Sequence, residues 1–116
     1  MGKTKFKAKI DSQDEKSIIY GNCIFNNNKI TYKEKDKKVT ILISDNIIEM
    51  IRECNDYKIH LIFQKDSVTQ STYQLFGGNK IFNLETKTEV LDIGDKKIQI
   101  DYILEDNKFS YILEME

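Results

Sequence analysis

Residues 98–115 read IQIDYILEDNKFSYILEM. Ile98, Ile100, Tyr102 and Leu104 fall on one parity, with Gln99 and Asp101 on the other. Beyond Asp106-Asn107, Phe109, Tyr111, Leu113 and Met115 alternate with Ser110 and Glu114. A period of two puts one face of an extended chain on a core and the other in water. The stretch therefore predicts two antiparallel strands joined by a short polar turn.

The pattern continues upstream of Gly94-Asp95. Between Ile81 and Ile93, residues Phe82, Leu84, Thr86, Thr88 and Val90 share one parity, and Asn83, Glu85, Lys87 and Glu89 the solvent-facing other. Segments 5–10, 18–25, 30–35, 39–43, 58–63 and 71–76 read as further strands. Between them lie the turn-favouring Asn26-Asn27-Asn28, Asp36-Lys37, Asp56, Lys65-Asp66 and Gly77-Gly78-Asn79.

Residues 45–54 (DNIIEMIREC) admit two readings. Ile47, Met50, Ile51 and Cys54 have helical spacing, with Asp45 as a cap. As a strand, Ile48, Met50, Arg52 and Cys54 share one face and Glu49, Ile51 and Glu53 the other. Flanking strands and short loops favour the strand.

Nine or ten short strands with hairpin-length links predict an all-β fold, an antiparallel up-and-down meander closed into a lipocalin- or calycin-like β-barrel of about 8–10 strands. Closure removes the exposed edges that invite aggregation. With 116 residues and no shift in composition, the chain reads as a single domain over residues 1–116.

Eighteen basic residues balance nineteen acidic ones, so no uniform positive field exists to attract nucleic acid or an anionic membrane, and neither is expected as a partner. Lys3, Lys5, Lys7 and Lys9 alternate with Phe6, Ala8 and Ile10, a strand pattern where an export signal would need an unbroken apolar run. Phe6 occupies the position where N-myristoylation needs Ser or Thr, and no apolar stretch approaches membrane-spanning length. Cys23 and Cys54 read as two reduced thiols, which sets the expectation of a cytoplasmic protein.

Phe63, the segment Tyr73-Gln74-Leu75-Phe76-Gly77, Thr86 and the segment Ile98-Gln99-Ile100-Asp101-Tyr102, together with Arg52, resemble the YwiB-like family of small bacterial proteins of unknown function. The resemblance covers nearly the whole chain. Arg52, Phe63, Tyr73, Gly77, Thr86 and Tyr102 fall at matching places, while Gln74-Leu75-Phe76 stands where the family tends to have Thr-Pro-Tyr. It implies a lipocalin-like barrel and supplies no catalytic residue.

His60 is the only histidine, with parity opposite to Leu61 and Phe63, so it should face outward, and no Cys or carboxylate lies near it in metal-ligand spacing. Gly77-Gly78 belongs to a hairpin rather than a phosphate loop. The pairs Glu49/Glu53 and Glu85/Glu89 lie on outward parity and lack the burial that acid–base work needs. No enzyme activity, metal or cofactor is therefore expected.

Arg52 is the informative residue, because the strand reading turns it inward and a buried cation needs a partner. On one reading it meets the carboxylate or phosphate of a small amphipathic ligand whose apolar part lies among Phe63, Tyr73, Phe82, Leu84, Tyr102 and Tyr111. On the other it closes the barrel end against backbone carbonyls or an inward Glu34. If residues 45–54 were helical, Arg52 would face water and the ligand reading would fail. The leading function is a non-enzymatic binding module. The alternative is a side-chain-filled barrel acting through outer residues such as Ile51, Ile62, Leu91 and Ile103, as a monomer or homodimer.

Overall fold

A computed structural model describes residues 2–116. They form β1 (Gly2–Ser12), β2 (Lys16–Asn26), β3 (Lys29–Glu34), β4 (Lys37–Ser44), β5 (Ile47–Glu53), β6 (Tyr57–Gln64), β7 (Val68–Leu75), β8 (Lys80–Ile93), β9 (Lys97–Leu104) and β10 (Asn107–Met115). Each strand pairs antiparallel with its sequence neighbours, and β1 with β10, which closes the barrel. The all-β meander expected from the alternation is the observed fold. Among the described residues no helix is long and apolar enough to cross a membrane.

The ambiguous segment is strand β5. Every residue from Ile47 to Glu53 is in register with both β4 and β6, so a pair of ladders outweighs the helical spacing of Ile47, Met50 and Ile51. Its β-branched Ile47, Ile48 and Ile51 suit a pleated surface. Two-residue turns at residues 27–28, 35–36, 45–46 and 105–106 keep the hairpins tight. Glu105 and Asp106 both have positive φ, 46° and 71°, the type I′ conformation that matches strand twist.

Parity in β9 and β10 is as the sequence reads: Ile98, Ile100, Tyr102, Tyr111 and Leu113 are buried. In β8 it changes partway. Thr88 faces Tyr102, yet Val90 faces Asp101 and Leu91 faces Ile100, so Glu89 is an extra residue in a bulge. Val90 is therefore on the outer parity and Leu91 packs against the core, reversing both sequence expectations. A bulge inserts one residue, and one residue exchanges the faces of everything beyond it.

Side chains fill the middle of the barrel. Val39, Ile41, Ile48, Phe63, Ile100 and Leu113 have no accessible surface, which they would keep if they lined a chamber wide enough for a ligand. Phe63 stacks at a tilt on Tyr102, centroids 4.7 Å apart.

The ladder is incomplete at two seams. β6 pairs with β7 only from Tyr57↔Leu75 to His60↔Thr72. Beyond that, hydroxyls close the gap: the Ile62 N–H donates to Ser71 Oγ at 3.0 Å, Thr69 Oγ1 donates to the Ile62 carbonyl, and Ser71 Oγ lies 2.8 Å from Thr86 Oγ1. The second seam is between β2 and β3, paired only from Cys23↔Tyr32 to Asn26↔Lys29.

Candidate functional site

One row of residues in register crosses six strands: Tyr32 on β3, Val39 on β4, Arg52 on β5, Ile59 on β6, Tyr73 on β7 and Phe82 on β8. Exposure rises along it, from buried Tyr32 and Val39 through partly covered Arg52, Ile59 and Tyr73 to Phe82, which is 47% exposed. The row therefore runs from the packed interior to the rim of one barrel end.

Arg52 shares the inward parity of Ile48 and Met50, and Glu34 that of Ile30 and Tyr32. Arg52 Nη1 donates to Glu34 Oε2 at 2.6 Å, with both side chains only 15% exposed. A planar guanidinium carries five N–H donors. Among the described residues Glu34 is the only protein group that takes one, and none of the other guanidinium nitrogens is sealed from solvent.

Three tyrosines surround this pair. The hydroxyls of Tyr32 and Tyr111 share a hydrogen bond of 2.9 Å. Burial pushes the Tyr102 hydroxyl up to about 12, and burial also raises those of Tyr32 and Tyr111. For Arg52 burial disfavours the charge, while Tyr32 and Glu34 favour it, with a net upward shift. The tyrosines are protonated at neutral pH, so Glu34 is the working counter-charge.

Aromatic surface continues to the rim. Tyr57 stacks on Tyr73 with centroids 5.6 Å apart, and Tyr73 meets Phe82 at 6.2 Å. Lys37 Nζ sits 5.8 Å from the Tyr57 ring centroid, and the Tyr57 side chain is the main influence raising its pKa. Arg52, Lys37 and Glu34 together leave one net positive charge beside an apolar aromatic shelf.

The structure thus brings Arg52, Tyr102 and Tyr111 together and places Tyr73, Phe82 and the half-buried Leu84 toward the rim. Phe63 lies deeper, in register with Ile48, as core filling. Tyr32, Lys37 and Tyr57 were missing from the sequence-based site, although Ile30, Tyr32 and Glu34 alternate with Lys29, Thr31 and Lys33. His60 is on the outer parity and bonds Glu49 Oε1 at 2.9 Å, a carboxylate two residues beyond its direct partner Ile51. Both cysteines are free, Cys23 buried and Cys54 partly exposed.

A cleft of about 410 Å³ beside the site is lined by Lys37, Lys38, Glu53 and Cys54, and larger clefts lie elsewhere. One of about 650 Å³ adjoins Tyr102 and Phe109 but is lined by Asp11, Glu89, Asp101 and Asp106, a poor surface for an anion. Another, of about 470 Å³, runs beside Lys5, Lys7 and Tyr20. Arg52 lines none of these clefts.

Residues 3–114 match the family model described as a domain of unknown function (DUF1934). The fold is similar to that in the crystal structure of the ywiB protein from Bacillus subtilis: TM-score 0.67 and 19% identity, over 98% of this chain and 89% of that one. No curated protein matches the chain.

Proposed function

This chain belongs to the DUF1934 family of domains of unknown function, small β-barrels of the YwiB type, and from that premise we propose that it is a non-enzymatic binding module for a small amphipathic anion. The observation that carries the reading is Arg52, whose guanidinium is held inward by Glu34 at 2.6 Å with its other donors unused by the protein. A carboxylate or phosphate fits those donors. The apolar part of the ligand would lie on Tyr57, Tyr73 and Phe82.

The packed interior supports a ligand held at the rim of the barrel and not one enclosed as in a lipocalin chamber. A buried ion pair is seldom the most stable filling for its space, which makes Arg52 and Glu34 more readily understood as a site than as a staple. Free Cys23 and Cys54 accord with a cytoplasmic setting.

The test is native mass spectrometry of gently purified protein, wild type against Arg52→Ala. A bound anion in wild type that is absent from the variant is expected. If both are empty and the variant merely melts earlier, Arg52 is structural. The filled middle of the barrel favours a second reading, an interaction module acting through its outer surface.

A further inference from the structure

The two most exposed apolar side chains on β2, Ile18 at 52% and Tyr20 at 70%, stand where that strand has no second neighbour. β1 pairs with β2 from Gly2↔Phe25 to Asp11↔Lys16, whereas β3 takes only Cys23 to Asn26. Residues 16–22 are thus an open edge on the β3 side of β2.

The register fixes which backbone groups are free. The Ser12 N–H donates to the Glu15 carbonyl at 2.7 Å, closing the β1–β2 turn. Mutually bonded pairs then recur at every second position, Ile10↔Ser17, Ala8↔Ile19 and Phe6↔Gly21. Ile19 spends its N–H and C=O on β1, while those of Lys16, Ile18, Tyr20 and Asn22 point to the open side. The same parity is taken by β3 further on, at Ile24 and Asn26.

Edges of this kind are normally blunted by proline, a bulge or a charge. The chain has no proline, the β1–β2 register is unbroken, and the one charge is Lys16 at the end. The lysines Lys7 and Lys9 belong to β1, opposite Tyr20 and Ile18, and leave the edge itself apolar.

We propose that residues 16–22 pair antiparallel with the same segment of a second copy of this chain, about a two-fold axis through Ile19. That register sets Ile18 of each copy against Tyr20 of the other, an aliphatic–aromatic pair of the kind that stabilises sheets. Ser17 meets Gly21, both small, and Lys16 meets Asn22, so no like charges oppose each other. Ile18 and Tyr20 supply the free N–H and C=O groups in the register that an antiparallel ladder needs. A partner of another sequence would have to bring this complement; a second copy brings it by symmetry. The edge is short beside interfaces of ~1,200 Å² or more that hold lasting complexes, so the dimer exchanges and forms as concentration rises.

Sedimentation velocity from micromolar to millimolar protein tests this on wild type and Tyr20→Glu. The substitution sets a carboxylate opposite Lys7, which suits the monomer, and in the dimer removes the ring that would pack on Ile18. Wild type should move toward the dimer with concentration, and Tyr20→Glu should associate at least about tenfold more weakly at an unchanged melting temperature. Separately, Ile19→Cys with Cys54→Ser should form an inter-chain disulfide on mild oxidation, because a non-hydrogen-bonded pair sits about 4.5 Å apart at Cα, within disulfide reach. Wild type that stays monomeric throughout, Tyr20→Glu that associates as well as wild type, or a cysteine variant that dimerises without cross-linking would each overturn the proposal.

Discussion

Tyr32 and Tyr111, 79 residues apart in sequence, meet through their hydroxyls at 2.9 Å inside the barrel. Both rings are almost wholly buried, and the bond ties β3 to β10 across the barrel, bridging the side where β2 and β3 part. Neither hydroxyl has another protein partner among the described residues.

Removing either oxygen leaves the other buried without a partner. Tyr32→Phe and Tyr111→Phe should each cost about 1–2 kcal/mol. The double variant should cost clearly less than their sum, because the second removal takes away a group already orphaned. Urea unfolding of the four proteins checks the cycle.

The Arg52–Glu34 pair should behave asymmetrically. Arg52→Ala, which strands a mostly buried carboxylate, should cost about 3 kcal/mol. Replacing both partners, as Arg52→Met with Glu34→Leu, should leave thermal stability near wild type or above it. That double variant separates a folding role from a binding role.

Alkaline pH should loosen the barrel. Tyr102, Tyr32 and Tyr111 hold their protons more tightly folded than unfolded, so their contribution is fully present below the ordinary tyrosine value near 10 and is lost as pH rises toward and past about 12. Tyr102 alone accounts for about 3 kcal/mol over that range. Melting temperature followed from pH 8 upward should fall less steeply in Tyr102→Phe than in wild type.

Two buried hydroxyls should respond with opposite sign. Ser71 Oγ receives the Ile62 N–H and meets Thr86 Oγ1, so Ser71→Ala should cost about 1–2 kcal/mol. Thr88 Oγ1 is buried with no partner, so Thr88→Val should be neutral or stabilising. Chemical denaturation of both variants decides.

The fold was legible because alternation is a local signal: Ile98, Ile100 and Tyr102 announce their face without reference to any other strand. Arg52 and a pairing with Glu34 were legible for the same reason, since each shares the parity of apolar neighbours. Leu91 and Val90 were misassigned because nothing in Glu89 marks a bulge, which is set by how β8 must bend against β9. Phe82 shares the inward parity of Thr86 yet stands at the rim, since alternation gives a residue's face and not its depth along the barrel. The open edge at Ile18 and Tyr20 was hidden too, because it depends on how far β3 extends beside β2. Ile51, Ile62 and Ile103, expected as outer contacts, are half covered, and the most exposed apolar groups lie on β2, β7 and β8.

Arg52 is the chain's only arginine, so its side-chain Nε–H gives a single resolved signal in a nitrogen–proton NMR spectrum. In the proposed function its guanidinium receives an anion that carries an apolar chain. Titration with decanoate and with dodecyl phosphate should shift that signal saturably, with companion shifts at Tyr57, Tyr73 and Phe82, while decanol and acetate leave it nearly still. A signal unmoved by either long-chain anion, or moved equally by decanol, would contradict it.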